Sequence, residues 1–260
     1  MRALGVVFEK PMRRRVLVPL GIVCVLLALT PQLASCGEDD SMHSMHADMS
    51  MTTDSAMDAA TQAKLRSDKR ESEFNHHLAG LLVLAAGFFL IAEENVRARW
   101  PLARQAWPLC LLLSGVFVLI FSDTELWPFH SKSWYFGLTH DAEVLQHKAF
   151  AVLLLAIGII ELLRARAFLT AGWWRWAFPA MAIIGSVMLL FHNHQGMHGA
   201  NHMEVMRRIQ SEHLSFAVTG FGIALTKGLA ETPFAGRPFF KRLFPALLFV
   251  LGALLLVYVE

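Results

Sequence analysis

Long apolar stretches separated by short polar connections dominate this chain of 260 residues. Six of them follow one another, at about 76–93, 106–122, 146–163, 174–191, 213–229 and 243–259. Each is close to the ~20 residues with which a helix crosses about 30 Å of hydrocarbon. The pattern therefore predicts an all-α membrane protein, in which residues 74–260 form a bundle of about six transmembrane helices.

A further apolar stretch, residues 16–33, follows a short basic segment at the start of the chain. A basic segment followed by an apolar one is typical of an export signal. The stretch ends in Leu33-Ala34-Ser35-Cys36, which resembles the lipobox of bacterial lipoproteins and implies cleavage before Cys36 and lipidation of its sulfur. The alternative is an uncleaved anchor helix. Residues 1–36 are thus a signal peptide or an anchor, and both interpretations place the chain from Gly37 onward outside the cytoplasm.

The next segment, residues 37–73, is polar and has few large apolar side chains. Such a composition buries too little apolar surface to fold alone, which predicts a disordered periplasmic tail, with a short helix from Ala56 to Lys69 before the membrane as the alternative for its second part. The tail contains two Met-His pairs, Met42-His43 and Met45-His46. Thioether sulfur and imidazole nitrogen are ligands for soft metals. We interpret the pairs as a loose collector of Cu(I), with a plain linker as the alternative.

The basic residues indicate how the bundle is oriented. The first, third and fifth connections between the six segments are rich in arginine and lysine, whereas the second and fourth are poor in both. The positive-inside rule places the basic connections in the cytoplasm. The chain is therefore predicted to be a multi-pass protein of a bacterial inner membrane, and every histidine then lies on the periplasmic side or at the periplasmic end of a helix.

Histidine and methionine are concentrated in the fourth connection and just after it. The residues concerned are His192, His194, His198, His202 and His213, with Met197, Met203 and Met206 between them. Neutral imidazole and thioether groups suit copper above all, and zinc as an alternative. The segment is predicted to be a periplasmic metal-binding loop, with a polar loop that is rich in histidine by chance as the alternative.

A weak internal repeat adds three more candidates. The segments NHHLAGLLVLAAG, QHKAFAVLLLAIG and EHLSFAVTGFGIA each begin an inward-going helix with histidine. Three helix pairs of this kind would bring His77, His147 and His213 to one rim, with His76 beside them. Three converging imidazoles make a good ion site, although histidines at a membrane interface also serve as hydrogen-bonding groups. On the first helix, His76, Gly80 and Gly87 form a face suited to close helix contact.

Composition removes several classes of function. With 55% hydrophobic and 17% charged residues, the chain lacks the dense basic stripe of a nucleic-acid-binding protein. The three cysteines form no CxxC pair, so a metal site has to use histidine, methionine and carboxylates. The sequence has no P-loop, which argues against ATP-driven transport by this chain alone.

The placement of these residues resembles the bacterial copper resistance protein D (CopD-like) family of inner-membrane proteins. The resemblance depends on the helix-opening His76, His77, His147 and His213 and on the Met/His-rich segments 42–51 and 192–206. It covers about residues 74–260. It implies movement of copper across the inner membrane, beside a small periplasmic copper-carrier protein.

The sequence therefore predicts a protein, not an enzyme, that binds copper and transports or hands it over at the periplasmic face of the lipid bilayer. One alternative is a haem-binding electron carrier resembling cytochrome b561-type proteins, in which paired histidines are axial ligands. A zinc-dependent hydrolase is the other, with three nitrogens from HNHQGMHGANH and with Glu204 or Asp141 as the base.

Overall fold

The computed structural model describes residues 51–191, 202–233 and 236–259. This part of the chain contains seven α-helices and no β-strand. The helices are α1 Met51–Val96, α2 Ala106–Phe121, α3 Trp134–His140, α4 Ala142–Ala165, α5 Ala177–Leu190, α6 His202–Glu231 and α7 Arg237–Leu256. Short 3-10 turns, Pro101–Gln105 and Gly172–Trp176, lead into α2 and α5. The prediction of an all-α protein is confirmed.

Each of the six predicted apolar segments coincides with one of the long helices, and the short α3 was not predicted. The largest difference concerns the segment 37–73, predicted as a disordered tail. Helix α1 begins at Met51, so the second part of that segment is helical. It is rich in alanine, lysine, arginine and glutamate, which favour a helix even without a partner to pack against. Residues 1–50, including Met42, His43, Met45 and His46, lie outside the described residues.

The six long helices pack as a closed ring. Around the ring the order is α1, α2, α4, α5, α6 and α7, and α7 packs back against α1. Helices α2, α5 and α7 finish at one end of the ring, which we call the histidine end. Helices α1, α4 and α6 finish at the opposite end, which we call the arginine end. The three two-helix repeats stay a prediction.

Four helical stretches of the described chain are long and apolar enough to cross a membrane. They are Thr61–Glu93, Pro101–Phe121, Gly172–Leu190 and Arg237–Leu256. The six predicted spans are therefore established as helices, and four of them as membrane-capable by length and composition. Large apolar side chains on the outside of the ring, such as Phe88, Leu113 and Ile184, are half exposed or more, as expected for a surface that faces lipid.

Helices α1 and α7 approach each other closely through glycine. Gly252 of α7 lies so near the backbone of Leu84 that any side chain there would overlap it. On α1, a Cβ atom added at Gly80 or Gly87 would lie 2.8 Å from the nearest atom of α7. The predicted contact face at Gly80 and Gly87 is confirmed. The contact closes the ring between the first and last helices.

Candidate functional site

A cavity of about 260 Å³ lies at the centre of the ring and is lined by all six long helices. Its walls are apolar over most of its depth, with Leu111, Phe150, Leu154, Phe178 and Ile223 among them. At the histidine end the lining becomes polar, with Asn75, His76, His147 and His213. The sequence motif of helix-opening histidines thus forms the mouth of one cavity.

His76 of α1 and His213 of α6 face each other across this mouth. Their ring centroids are 6.1 Å apart and their planes are inclined by 67°. Each ring is held by its own helix: His76 Nδ1 lies 2.8 Å from the carbonyl oxygen of Ser72, and His213 Nδ1 lies 2.9 Å from that of Ile209. A carbonyl oxygen only accepts, so Nδ1 carries the hydrogen and the lone pair of each neutral ring is on Nε2.

The third histidine at the mouth, His147, is oriented by a carboxylate. Its Nδ1 lies 2.9 Å from Oδ1 of Asp123, in the connection that follows α2. A carboxylate accepts this hydrogen bond, so the lone pair of a neutral His147 ring is again on Nε2. Metal-bound histidines almost always have their other ring nitrogen bonded to a carbonyl or a carboxylate in this way.

Asp123 also forms a buried ion pair. Its Oδ2 lies 2.8 Å from Nζ of Lys148, and both side chains are almost fully buried. Lys148 donates further hydrogen bonds to the carbonyl oxygen of Leu119 at 3.0 Å and to Oγ of Ser122 at 3.1 Å. Burial alone would raise the pKa of Asp123, but hydrogen bonds from His147, Lys148 and Ser122 bring it below its ordinary value. The carboxylate is therefore ionised and fixes His147 and Lys148 together.

His77 does not lie where the repeat predicted. It was expected at the rim with His147 and His213, but its Nε2 lies 3.0 Å from the carbonyl oxygen of Tyr258, beyond the end of α7. His76 lines the mouth instead. Successive residues of a helix point about 100° apart, and on this turn Asn75 and His76 take the cavity side, so His77 points away from it toward the end of α7. The repeat therefore predicted the correct turn of α1, but the histidine of that turn that lines the mouth is His76 and not His77.

The other predicted ligands belong to the loop and to the start of α6. His192, His194, Met197 and His198 lie outside the described residues. His202 and Met203 begin α6, and Met206 lies half-buried one turn later. The carbonyl oxygen of Phe191, directly after α5, accepts a hydrogen bond of 3.2 Å from Gln146, the neighbour of His147. The loop therefore starts beside the mouth of the cavity.

Within the described residues, no three histidine, cysteine, aspartate or glutamate side chains lie close enough together to hold a metal ion. The mouth offers a pair instead. A metal–nitrogen bond is about 2 Å long, so two imidazoles that share one ion have ring centroids roughly 6 Å apart. The 6.1 Å between His76 and His213 fits that separation. Further ligands would have to come from the loop 192–201 and from the start of α6.

A second cluster of buried charges lies at the arginine end. Glu161 of α4 is 2.6 Å from Arg164 and 3.4 Å from Lys227 of α6. Glu231 is 3.0 Å from Lys227 and 3.1 Å from Arg164. Two cations and two carboxylates thus form an electrically balanced group, which removes most of the cost of burying the charges.

Three aromatic rings separate this charge cluster from the cavity. Trp107, Phe178 and Phe244 pack against one another with centroids 5.4–6.2 Å apart. Nζ of Lys227 lies over all three rings at 5.2–5.8 Å from their centroids, within the range of cation–π attraction. Phe178 also lines the cavity. The rings close the cavity on the side away from the histidines.

Sequence reasoning missed the buried charge pairs that organise the two ends. Lys148 and Lys227 stand inside otherwise apolar helices, in QHKAFAVLLLAIG and FGIALTKGLAE. A charged residue in such a setting is costly unless it is paired, so each lysine signalled a buried carboxylate nearby. The partners, Asp123 for Lys148 and Glu161 with Glu231 for Lys227, are determined by how the helices of the ring pack.

Comparison with known proteins gave no relative: no protein-family model matches the chain, and neither a curated protein nor a solved structure matches it significantly. The function therefore has to be inferred from the chemistry of the site.

Proposed function

We propose that this protein binds copper, as Cu(I), at the histidine end of the helix ring and transports it or hands it over there. The observation that supports this is the mouth of the cavity, where His76, His147 and His213 from three helices each have Nδ1 bonded to a carbonyl or a carboxylate. Histidine ligands oriented in this way, joined to a loop rich in methionine and histidine, suit a soft ion better than a hard one. The proposed role involves no catalysis.

The proposed membrane arrangement has six spans with the histidine end in the periplasm. Helices α4 and α6 support the number of six spans, because their outward faces are apolar. On α4 the exposed residues Leu145, Val152 and Ile159 recur every seven positions. On α6 the outward face carries large apolar side chains that are all more than half exposed, namely Leu214, Val218 and Leu225. The buried charges of both helices point into the ring and are paired, as in membrane bundles.

Membership of the CopD-like family is part of the same proposal. The chain would be a multi-pass protein of a bacterial inner membrane, and its partner would be a small periplasmic copper carrier. The mouth of the cavity then faces the periplasm, where such a carrier would deliver copper to the protein or receive copper from it. Both the orientation and the partner can be tested with sealed membranes.

Replacing His194, His198 and His202 together by alanine is expected to weaken copper binding at least tenfold, because the mouth supplies only part of a coordination sphere. Loss even of groups that merely orient metal ligands costs about 10–100-fold in affinity. The measurement is competition for Cu(I) with bathocuproine disulfonate, a chelator that does not cross membranes, in sealed right-side-out vesicles.

The matched control is the double variant His130→Ala, His140→Ala. These two histidines belong to the other connection at the histidine end, are exposed, and do not line the cavity. They should leave the affinity unchanged. Equal copper affinity in the triple variant and the wild type would contradict the proposal for the loop. Copper that the chelator reaches only after the vesicles are opened would contradict the orientation.

A haem-binding electron carrier is the second candidate, because His76 and His213 lie on two different helices and face each other. Axial haem ligands need such a pair. The cavity fits the macrocycle poorly: benzene alone occupies a cavity of about 150 Å³, and the cavity here measures about 260 Å³. Haem would show itself by a Soret band in the purified protein.

A further inference from the structure

The apolar depth of the central cavity is not explained by copper. Below the mouth, its wall consists of apolar side chains apart from two serines, Ser114 and Ser186. The hydroxyl of Ser186 donates to the carbonyl oxygen of Ala182, one turn earlier in the same helix. Ser114 is fully buried, so its hydroxyl is not available to a molecule in the cavity. Whatever fills this depth therefore meets an apolar wall.

Neither water nor empty space suits such a cavity. A buried water molecule needs two to four polar partners, and a cavity with an apolar lining stays dry. An empty cavity is also unfavourable, because the side chains around it lose their dispersion contacts on one side. An apolar molecule in the cavity would therefore stabilise the ring.

The cavity adjoins the loosest seam of the ring, between α4 and α5. Of the six neighbouring helix pairs, these two have the sparsest contact. Gly185 of α5 lies at this seam, and a Cβ atom added there would be 3.6 Å from Phe150 and 3.7 Å from Leu153, at ordinary van der Waals distance. The glycines where α1 crosses α7 and where α2 crosses α4 have no such room.

At this seam the wall of the cavity is continuous with the outer surface of the ring. Phe150 and Leu153 line the cavity and are only half-buried. Their neighbours on the outside, Val152 of α4 and Ile184 of α5, are apolar and more than half exposed. An apolar chain can therefore pass from the outer surface to the cavity without meeting a charged side chain.

The length of the cavity corresponds to one leaflet of a bilayer. Along α4 its lining extends from His147 at the mouth to Ile157. Ten residues of helix measure about 15 Å, which is half of the ~30 Å hydrocarbon core. A cavity of about 150 Å³ holds the six carbons of benzene, so one of about 260 Å³ holds roughly ten carbons. Both dimensions suit one acyl chain.

We propose that the cavity holds one acyl chain of a bilayer phospholipid, which enters through the seam between α4 and α5 from the leaflet at the histidine end. The headgroup stays outside the ring. The bilayer supplies acyl chains at the seam itself, at a concentration that no dissolved apolar molecule reaches. With the chain in place, an ion at the mouth has no polar path through the ring, which favours hand-over of copper at the mouth. This site presupposes the membrane arrangement proposed above but not copper binding.

The test uses the full-length protein in lipid nanodiscs that contain a phosphatidylethanolamine with a diazirine halfway along one acyl chain. Light releases nitrogen from the diazirine, and the carbene that remains inserts into a nearby C–H bond of the protein. Mass spectrometry of the peptides then locates the adducts. We expect adducts on the cavity residues Leu153 and Met181 as well as on the outward residues Val152 and Ile184.

Filling the seam separates the cavity from the outer surface. Gly185→Leu should lower the adducts on Leu153 and Met181 at least fivefold and leave those on Val152 unchanged. Its control is Gly172→Leu, since nothing lies within 4 Å of a Cβ atom at Gly172, and all adducts should stay as in the wild type. If Gly185→Leu does not fold, Ala182→Leu adds the same bulk to the cavity one turn away.

Three results would overturn the proposal. Adducts confined to Val152 and Ile184 would show that lipid surrounds the ring but does not enter it. Adducts on neither side of α4 and α5 would remove the membrane arrangement as well. Cavity adducts that are equally abundant in Gly185→Leu and the wild type would rule out entry through the seam. Copper affinity is measured separately, so its loss or persistence does not affect any of these outcomes.

Discussion

Replacing His76 and His213 together by alanine is expected to lower the affinity for Cu(I) at least hundredfold. The two rings face each other across the mouth, with centroids 6.1 Å apart, and each is held by its own helix. Removing groups that merely orient a metal ligand already costs about 10–100-fold, so removing two ligands costs more. Competition with a chromophoric Cu(I) chelator in detergent measures the change.

The neighbouring residue supplies the control. His77→Ala removes an imidazole one position from His76, but that ring is bonded to the carbonyl oxygen of Tyr258 and does not line the cavity. It should leave copper affinity unchanged. If His77→Ala weakens copper binding as much as the double variant, the rim is not formed by His76 and His213 as described.

Asp123→Asn is expected to destabilise the protein by about 3–5 kcal/mol, because it leaves the buried cation of Lys148 without its carboxylate. Both side chains are almost fully buried, and the pair is 2.8 Å apart. The other groups bonded to Lys148 Nζ, the Leu119 carbonyl and the Ser122 hydroxyl, are neutral. For a chain of this size the thermal midpoint should fall by roughly 10 °C, measured by circular dichroism in detergent.

The double variant Asp123→Asn, Lys148→Met distinguishes an unpaired charge from a simple loss of packing. Methionine fills nearly the volume of the lysine stem and carries no charge, so most of the lost stability should return. If the double variant is as unstable as Asp123→Asn alone, the instability does not come from the unpaired charge of Lys148, and the claimed role of the ion pair is contradicted. Copper affinity should fall in Asp123→Asn as well, since the same carboxylate holds His147.

The helices were predictable because each apolar run is long and bounded by polar residues, and 106–122 differs from α2 by one residue at its end. The start of α1 was predicted only in part: a short helix from Ala56 to Lys69 was one interpretation, but residues 51–73 lack the apolar periodicity that would show a continuous helix from Met51 into the span. Their helicity depends on the intrinsic preferences of alanine and of long charged side chains. The helix α3 was missed for a similar reason: it is seven residues long and belongs to an outer connection.

Sequence alone indicated that histidines gather at one end of the bundle, but it could not choose between His76 and His77. That choice depends on the rotation of α1 about its axis, which is fixed by the glycine contacts with α7. The pairing of Lys148 with Asp123 was hidden because the two residues are brought together by the packing of α4 against the end of α2.

Metal content tests the central claim most directly. The full-length protein is purified in detergent from cells supplied with copper, zinc and iron, and its metals are counted by inductively coupled plasma mass spectrometry. The proposal predicts about one copper atom or more per chain, and its loss in the variant His76→Ala, His213→Ala. Iron with a Soret band would point to haem, and zinc to the hydrolase. Any of these in place of copper, or a protein free of metal, would contradict copper binding at the histidine end.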